Sequence, residues 1–244
     1  MIIFPAIDIR GGKCVRLTEG RFDAETVFAD DPAAMAGRWA AEGAEYLHVV
    51  DLDGALAGQP VNLDIVKRIV ASVAIPVQLG GGIRTLASIE AILAAGVARV
   101  ILGSVAVRQP ALVKEACAAY GDRVVVGIDA KDGVAAVEGW GVSGGVAAVE
   151  LAARMAAAGV ARIIYTDISR DGTLSGVNVA TTGALAKVAG IPVIASGGVS
   201  GLADIVAVKA AEADGVEGVI IGKALYIGAV ELPAALRVAR GEGA

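Results

Sequence analysis

Two aspartates end apolar runs at matching places in the two halves of the chain, and they are the residues best suited to moving a proton. Asp8 follows the run IIFPAI, and Asp129 follows the run VVVGI. Two carboxylates in different surroundings can hold opposite protonation states, so that one accepts a proton while the other donates one. The pair therefore predicts a proton shuttle, not hydrolysis by a strong nucleophile.

More polar residues follow the apolar run near residues 162–168. Thr166 lies at the end of this run and Asp171 in the Asp-Gly turn behind it, so both are predicted site residues. Asp51 and Asp167 also end apolar runs. For these two the sequence leaves open a role in the site or an ordinary helix or turn cap.

Glycine-rich junctions follow four of the apolar runs, in two similar pairs. Residues 80–82 with 103–104 form one pair, and residues 197–198 with 222–223 form the other. Backbone N–H groups at such junctions can converge on an anion. Two opposite anion sites predict a small substrate with a phosphate at each end. The predicted binding residues are Gly81, Gly82, Arg84, Gly103, Ser104, Gly172, Gly197, Gly198, Gly222 and Lys223.

Two segments, residues 11–31 and 131–145, are longer than a strand-to-helix connection requires and are candidate lids. Within them Arg16, Arg21 and Trp140 are candidate substrate contacts. Trp140 either stacks on a ligand ring or packs locally. The one histidine, His48, lies in an apolar run and is expected to have a structural role. A single histidine excludes multi-histidine metal sites, and we predict no metal.

The elements that position these residues are eight apolar, β-branched runs that alternate with alanine-rich segments of helical period. Eight such pairs in 244 residues match an α/β fold, the (β/α)8 barrel, which is typically about 250 residues long. An open doubly wound sheet is disfavoured because no G-x-G-x-x-G follows the first strand. In a (β/α)8 barrel the site lies at the carboxyl ends of the strands. The predicted strands lie near residues 1–8, 46–53, 75–80, 99–103, 124–129, 162–168, 192–196 and 218–222.

Internal repeats divide the chain into two similar halves. The segment DGALAG at 53–58 matches DGTLSG at 171–176, and IPVQLGGGI at 75–83 matches IPVIASGGV at 191–199. The short segment ILGS at 101–104 likewise matches IIGK at 220–223. These matches predict one domain, residues 1–244, built from half-barrels at about 1–120 and 121–244.

The composition excludes several other classes of protein. With 56% hydrophobic and 19% charged residues the chain is not disordered, and its longest uncharged run, 188–203, is too short to span a membrane. A net charge of −5 without a dense basic run argues against nucleic-acid binding. The start, MIIFPAIDIR, lacks the pattern of a signal peptide, and two widely separated cysteines suit a reducing compartment. We expect a cytoplasmic monomer.

Seven segments carry a resemblance to a known family. They are FPAIDIRGGKCVRLTEG, HVVDLDGA, LGGGIR, VGIDAKDG, YTDISRDGTLSGVN, IASGGVS and IIGKALY. Over essentially its whole length the chain resembles the phosphoribosylformimino-aminoimidazole carboxamide ribotide isomerases (ProFAR isomerases) of histidine biosynthesis. The resemblance implies an Amadori rearrangement of an aminoaldose to an aminoketose, without metal or cofactor.

The resemblance also implies roles for the aspartates. The residue matching Asp8 is the general base that removes the C2 proton. The residue matching Asp129 is the general acid that assists ring opening, although in some members the acid is the residue matching Asp171. The internal symmetry favours Asp129, with Asp171 and Thr166 orienting the substrate.

Three alternatives stay open. The sister cyclase, a subunit of imidazole glycerol phosphate synthase, has a first strand similar to CLDV with a lysine in the following loop, where this chain has AIDI and Arg16. A bifunctional form also isomerises phosphoribosylanthranilate, but it carries an arginine-rich stretch where this chain reads AAVEGW. The third alternative is a barrel that binds phosphates without catalysis.

Overall fold

Eight parallel strands close into a barrel in the computed structural model, which describes residues 1–137, 140 and 142–242. The strands of the described residues are β1 (Ile2–Arg10), β2 (Lys13–Thr18), β3 (Arg21–Ala29), β4 (Leu47–Asp51), β5 (Val77–Gly80), β6 (Arg99–Leu102), β7 (Val124–Lys131), β8 (Val134–Val137), β9 (Val142–Ala147), β10 (Ile163–Asp167), β11 (Val193–Ser196) and β12 (Val216–Ile221). Around the barrel β1, β4, β5, β6, β7, β10, β11 and β12 pair in that order, and β12 pairs with β1. The predicted (β/α)8 barrel is confirmed.

Helices cover the outside of the barrel, so its strands are buried on both faces. This double burial explains why the strands are almost continuously apolar. No helix in the described part of the chain is long and apolar enough to cross a membrane. The helices are α1 (Pro32–Ala41), α2 (Leu52–Ala57), α3 (Leu63–Ser72), α4 (Leu86–Ala94), α5 (Val105–Arg108), α6 (Pro110–Tyr120), α7 (Ala148–Ala157), α8 (Val179–Ala189), α9 (Leu202–Ala210), α10 (Lys223–Tyr226) and α11 (Leu232–Arg240), with 3-10 turns at Gly121–Arg123 and Ala211–Asp214.

Two apolar clusters of side chains form the core, one outside the barrel strands and one inside them. One apolar cluster lies between the strands and the helices. A second cluster fills the interior of the barrel, so the interior is a packed core below the mouth. The buried members of the interior cluster are Phe4, Ala6, Tyr46, Ile101, Val125, Ile164, Ile194 and Ile220.

Both candidate lids form antiparallel hairpins, which the sequence analysis did not predict. β2 and β3 extend β1, and β8 and β9 extend β7. Three turns of these hairpins, at residues 11–12, 19–20 and 132–133, have positive φ at both positions. That geometry is the type I′ turn, which suits the twist of a two-residue hairpin. Residues 138, 139 and 141 of the second candidate lid lie outside the described residues.

Asp51 caps the loops that follow β4. It is also the last residue of β4, which ends two residues before the predicted end at residue 53. Its carboxylate accepts hydrogen bonds from the backbone N–H groups of Gly54, Val61 and Asn62 at 2.8–2.9 Å, and from the Asn62 amide at 2.7 Å. Asp167 is bonded in the same way to the amide of Asn178 at 2.7 Å. The open question about these two aspartates is therefore resolved in favour of caps.

We expect Asp51→Ala to lower the free energy of unfolding by about 3 kcal/mol, because it removes charge-assisted hydrogen bonds and leaves buried N–H groups unpaired. Urea unfolding followed by circular dichroism measures this change. The matched control is Asp64→Ala, whose side chain is 95% exposed beside Lys67 and should change stability by less than about 0.5 kcal/mol. Equal midpoints for the two variants would contradict the capping role.

Candidate active site

Two adjoining cavities lie at the carboxyl ends of the barrel strands. The larger has a volume of about 240 Å³ and the smaller about 20 Å³, and both are lined by Arg16, Asp171 and Ser196. Every residue predicted for the site, apart from the candidate Arg21, lines one cavity or the other. In the larger these residues are Asp8, Arg16, Gly81, Gly82, Arg84, Gly103, Ser104, Asp129, Trp140, Thr166 and Asp171. In the smaller they are Arg16, Asp171, Gly172, Gly197, Gly198, Gly222 and Lys223.

Asp8 forms a buried ion pair with Arg16. Arg16 Nη1 lies 2.8 Å from Asp8 Oδ2, and neither residue is more than 9% exposed. The pair forms because the first hairpin folds β2 back on β1, which places Val15 opposite Asp8 in register. Burial raises the pKa of Asp8 above its ordinary value, and the Arg16 guanidinium offsets part of this rise. The arginine therefore favours the carboxylate form of Asp8.

Asp129 faces two hydrogen-bond donors. Trp140 Nε1 donates to Asp129 Oδ2 at 2.8 Å, and Thr166 lies opposite Asp129 in the register of β7 with β10. Burial raises the pKa of Asp129, and the hydrogen bonds from Trp140 and Thr166 lower it. Both donors thus stabilise the ionised form of this carboxylate.

Asp171 is a third buried carboxyl group in the site. Burial raises its pKa to about 6, with smaller contributions from the negative charges of Asp8 and Asp129, while Arg16 and Lys223 lower it. Arg16 Nη2 lies 3.9 Å from Asp171 Oδ1, a longer contact than the one it makes with Asp8. A substantial fraction of Asp171 is therefore protonated just below neutral pH.

Trp140 joins the two hairpins above the cavity. It has a φ of 73°, and a Cβ atom added at Gly20 would overlap its indole ring. Trp140 thus packs on Gly20 and donates to Asp129. Of its two predicted roles, these contacts show the local packing. Arg21 lies outside both cavities, and its side chain, 63% exposed, pairs with Asp23.

The glycine junctions have backbone conformations that other residues rarely adopt. Gly81 and Gly197 have φ of 109° and 92° at corresponding positions of the two halves. A Cβ atom on Gly81 would overlap the carbonyl of Asp51, and one on Gly197 would lie 2.8 Å from the carbonyl oxygen of Asp167. Each turn therefore packs tightly on the loop that precedes it, and glycine is required for this contact.

A basic side chain accompanies each pair of junctions. Arg84 lines the larger cavity and lies 3.5 Å from the carbonyl oxygen of Ala55. Lys223 lines the smaller cavity, where its Nζ donates to the carbonyl of Gly172 at 2.8 Å. The two ends of the site thus have the donors that phosphate groups require.

Two polar residues, Ser196 and His48, line the cavities although they were not predicted for the site. Ser196 lines both cavities and is in register with Thr166. His48, expected to be structural, lines the larger cavity on the same face of the barrel as Ala6. The alternation of side chains along a strand could have found both, since residues two apart share a face.

Comparison with known proteins gives consistent matches along the chain. Residues 2–231 match the family described as histidine biosynthesis protein. A relative from Desulforamulus reducens is 57% identical over 242 residues, covering 99% of this chain and 98% of the relative. One from Geobacter sulfurreducens is 54% identical over 100% of both chains.

A third relative, from Moorella thermoacetica, is 52% identical over 98% of both chains. All three are named 1-(5-phosphoribosyl)-5-((5-phosphoribosylamino)methylideneamino) imidazole-4-carboxamide isomerase. These matches confirm the resemblance that the sequence motifs carry, and the chain belongs to the histidine biosynthesis protein family.

Proposed function

We propose that the protein is the ProFAR isomerase of histidine biosynthesis, which converts a bis-phosphorylated aminoaldose to the corresponding aminoketose by an Amadori rearrangement. One observation carries the proposal above all others. A buried ion pair of Asp8 with Arg16 and a carboxyl group with a pKa of about 6, Asp171, line the same cavity. A base and an acid in one buried site are what an aldose-ketose proton transfer requires.

Asp8 acts as the general base in this proposal. The Arg16 guanidinium at 2.8 Å favours the carboxylate that must receive the C2 proton of the open-chain sugar. Receipt of that proton neutralises Asp8, and delivery of the same proton to C1 restores it. Formation of the ketone releases the proton of the C2 hydroxyl, which replaces the proton that the general acid gives to the ring oxygen. The reaction is thus balanced without an oxidant, a reductant or a second substrate.

Asp171 acts as the general acid that protonates the ring oxygen during ring opening. The hydrogen bonds made to Asp129 favour Asp171 as the acid over Asp129, which internal symmetry had favoured. Burial raises the pKa of both groups, but the hydrogen bonds that Trp140 and Thr166 donate to Asp129 oppose this rise and stabilise its carboxylate. Asp129 then orients the substrate together with Thr166 and maintains the raised pKa of Asp171 through its negative charge.

The two phosphates of the substrate bind at the opposite glycine junctions. Arg84 and Ser104 serve the end that opens into the larger cavity, while Lys223 serves the other. The protein acts in the cytoplasm in this proposal, a location that suits its two buried free cysteines. The monomeric state stays a prediction, which light scattering after size-exclusion chromatography checks.

We expect Asp8→Asn to reduce turnover of the aminoaldose by about a thousandfold or more, because the amide cannot accept the C2 proton. The absorbance change of the reaction measures turnover, and calorimetry measures binding, which should persist. Exposed Asp64→Asn is the control. Turnover by Asp8→Asn at the wild-type rate would contradict the role of base.

The same assay separates the alternatives. Phosphoribosylanthranilate is tested as a second substrate, since its turnover would identify the bifunctional form. If wild-type protein turns over neither compound, the isomerase assignment fails and the cyclase is tested with ammonia. Binding without any turnover would favour a phosphate-binding barrel.

The pH dependence of kcat/KM distinguishes the two candidate acids. Asp171 must be protonated to donate, so kcat/KM should fall as pH rises above about 6, and fall at low pH as Asp8 is protonated. Asp129→Asn removes a negative charge that raises the pKa of Asp171, so the alkaline limb should move to lower pH. Asp171→Asn should lose about a thousandfold in rate. Asp129 would be identified as the acid if Asp129→Asn lost more of the rate than Asp171→Asn did, and if the alkaline limb of kcat/KM were unchanged in Asp171→Asn.

Arg84→Met and Lys223→Met should each raise KM by about tenfold, since each removes one cation from a phosphate site. The two sites lie at opposite ends of the substrate, so the double variant should show roughly the product of the single effects. Steady-state kinetics and inhibition by inorganic phosphate measure both changes. An unchanged KM in either variant would contradict the corresponding site.

A further inference from the structure

A polar pair interrupts the apolar interior of the barrel beneath the carboxylates. His48 on β4 is in register with Ala6, whereas Asp8 is in register with Val50. His48 therefore lies two residues, about 7 Å, deeper in the barrel than Asp8. Its imidazole lines the larger cavity, while neighbouring residues at this depth, Ile101 and Ile164 among them, are aliphatic. The floor of the site thus presents one polar group to a ligand.

Gln78 holds the imidazole. It is fully buried on β5, in register with His48, and its Nε2 lies 3.1 Å from His48 Nδ1. The amide nitrogen faces the ring, an arrangement that matches the tautomer in which Nδ1 accepts and the ring proton lies on Nε2. The other amide atom, Gln78 Oε1, is buried without a hydrogen-bond partner among the described residues. Such an unpaired atom costs stability, and functional sites are where this cost is usually found.

The imidazole is neutral at physiological pH. Burial lowers the pKa of His48 to about 3, and the positive charge of Arg16 adds to the effect. A neutral ring offers no net charge to a phosphate, and it is a poor proton donor near pH 7. It can, however, donate one directional hydrogen bond to a neutral oxygen.

We propose that His48 is a specificity residue whose Nε2–H donates a hydrogen bond to the C3 hydroxyl of the open-chain sugar, with Gln78 as the residue that positions the ring. The inference rests on the proposed function. If the phosphates occupy the two glycine junctions and Asp8 takes the C2 proton, the sugar chain spans the floor between them. Of the hydroxyls at and beside the reacting carbon, the C2 hydroxyl loses its proton as the ketone forms, whereas the C3 hydroxyl keeps its proton and can accept one hydrogen bond throughout. His48 exchanges no proton with the substrate, so this hydrogen bond adds no chemical step to the proposed reaction.

The first test uses the wild-type protein, in which His48 is the only histidine. Protein made without a histidine tag and labelled with ¹⁵N-histidine gives one imidazole spectrum. We expect the Nε2–H tautomer throughout pH 5–8 and a shift of the Nε2 and Hε2 signals when the aminoketose product is added. Titration near the ordinary pKa of about 6.5, or unchanged signals at saturating product, would overturn the inference.

The second test compares His48→Leu with a substrate that lacks the C3 hydroxyl. Each change alone should lower kcat/KM by about tenfold to a hundredfold, and together they should cost little more than one alone. His48→Gln, which retains a donor, should recover part of the loss. Gln78→Met should reduce kcat/KM less and abolish the single-tautomer spectrum. Thermal melting of each variant shows whether the barrel is intact.

The outcomes separate this inference from the proposed function. If the wild-type protein turns over the aminoaldose and Asp8→Asn does not, the isomerase assignment stands. Independent, multiplicative losses for His48→Leu and the deoxy substrate would then overturn the role of His48 alone. Absence of turnover in the wild-type protein would instead reject the isomerase assignment.

Discussion

The position of one buried guanidinium determines how the site can work. Asp8, Asp129 and Asp171 all line the same cavity, and burial raises the pKa of each. Arg16 lies 2.8 Å from Asp8 but 3.9 Å from Asp171, so its charge acts most strongly on Asp8. An apolar barrel below the mouth strengthens this difference, because little water is present to screen it. In the proposed reaction this difference assigns the base to Asp8 and the acid to Asp171.

The same guanidinium breaks the internal symmetry of the chain. Asp8 and Asp129 end equivalent barrel strands, and each strand continues into a hairpin. Arg16 of the first hairpin lines the cavity. Asp129 lies 121 positions after Asp8, and the residue 121 positions after Arg16 is Val137 of the second hairpin, which also lines the cavity. Asp8 therefore gains a cation that Asp129 lacks. The two halves share a backbone plan, and this exchange is one of the differences between their chemistry.

The repeated Asp-Gly turns show a second division of roles. Asp53 accepts a hydrogen bond from the backbone N–H of Gly11 at 2.8 Å, which holds the base of the first hairpin. Asp171, its counterpart in the second half, turns its carboxylate to the cavity, while its backbone carbonyl accepts from Glu19 at the hairpin tip. Equivalent turns thus tie both ends of the hairpin that carries Arg16. These two contacts hold the hairpin in place and so keep Arg16 close to Asp8.

The strands and the glycine junctions could be predicted from the sequence because local rules govern them. Buried parallel strands are apolar throughout, and tight turns require glycine. The hairpins were missed although turn signals, such as Asp132-Gly133, were present, because β3 is largely exposed and lacks an apolar pattern. The protonation states of the aspartates were beyond sequence reasoning for another reason. A pKa depends on burial and on neighbours distant in the chain, such as Arg16 for Asp171.

Contacts between the two hairpins act on the protonation of the site. Trp140 packs on Gly20 and donates to Asp129, so the two hairpins meet above the cavity. The hydrogen bond lowers the pKa of Asp129 against the effect of burial, and it so stabilises the carboxylate. A negative charge on Asp129 in turn raises the pKa of Asp171. One contact between the hairpins thus favours the protonated form of Asp171, which is the form that the proposed general acid needs.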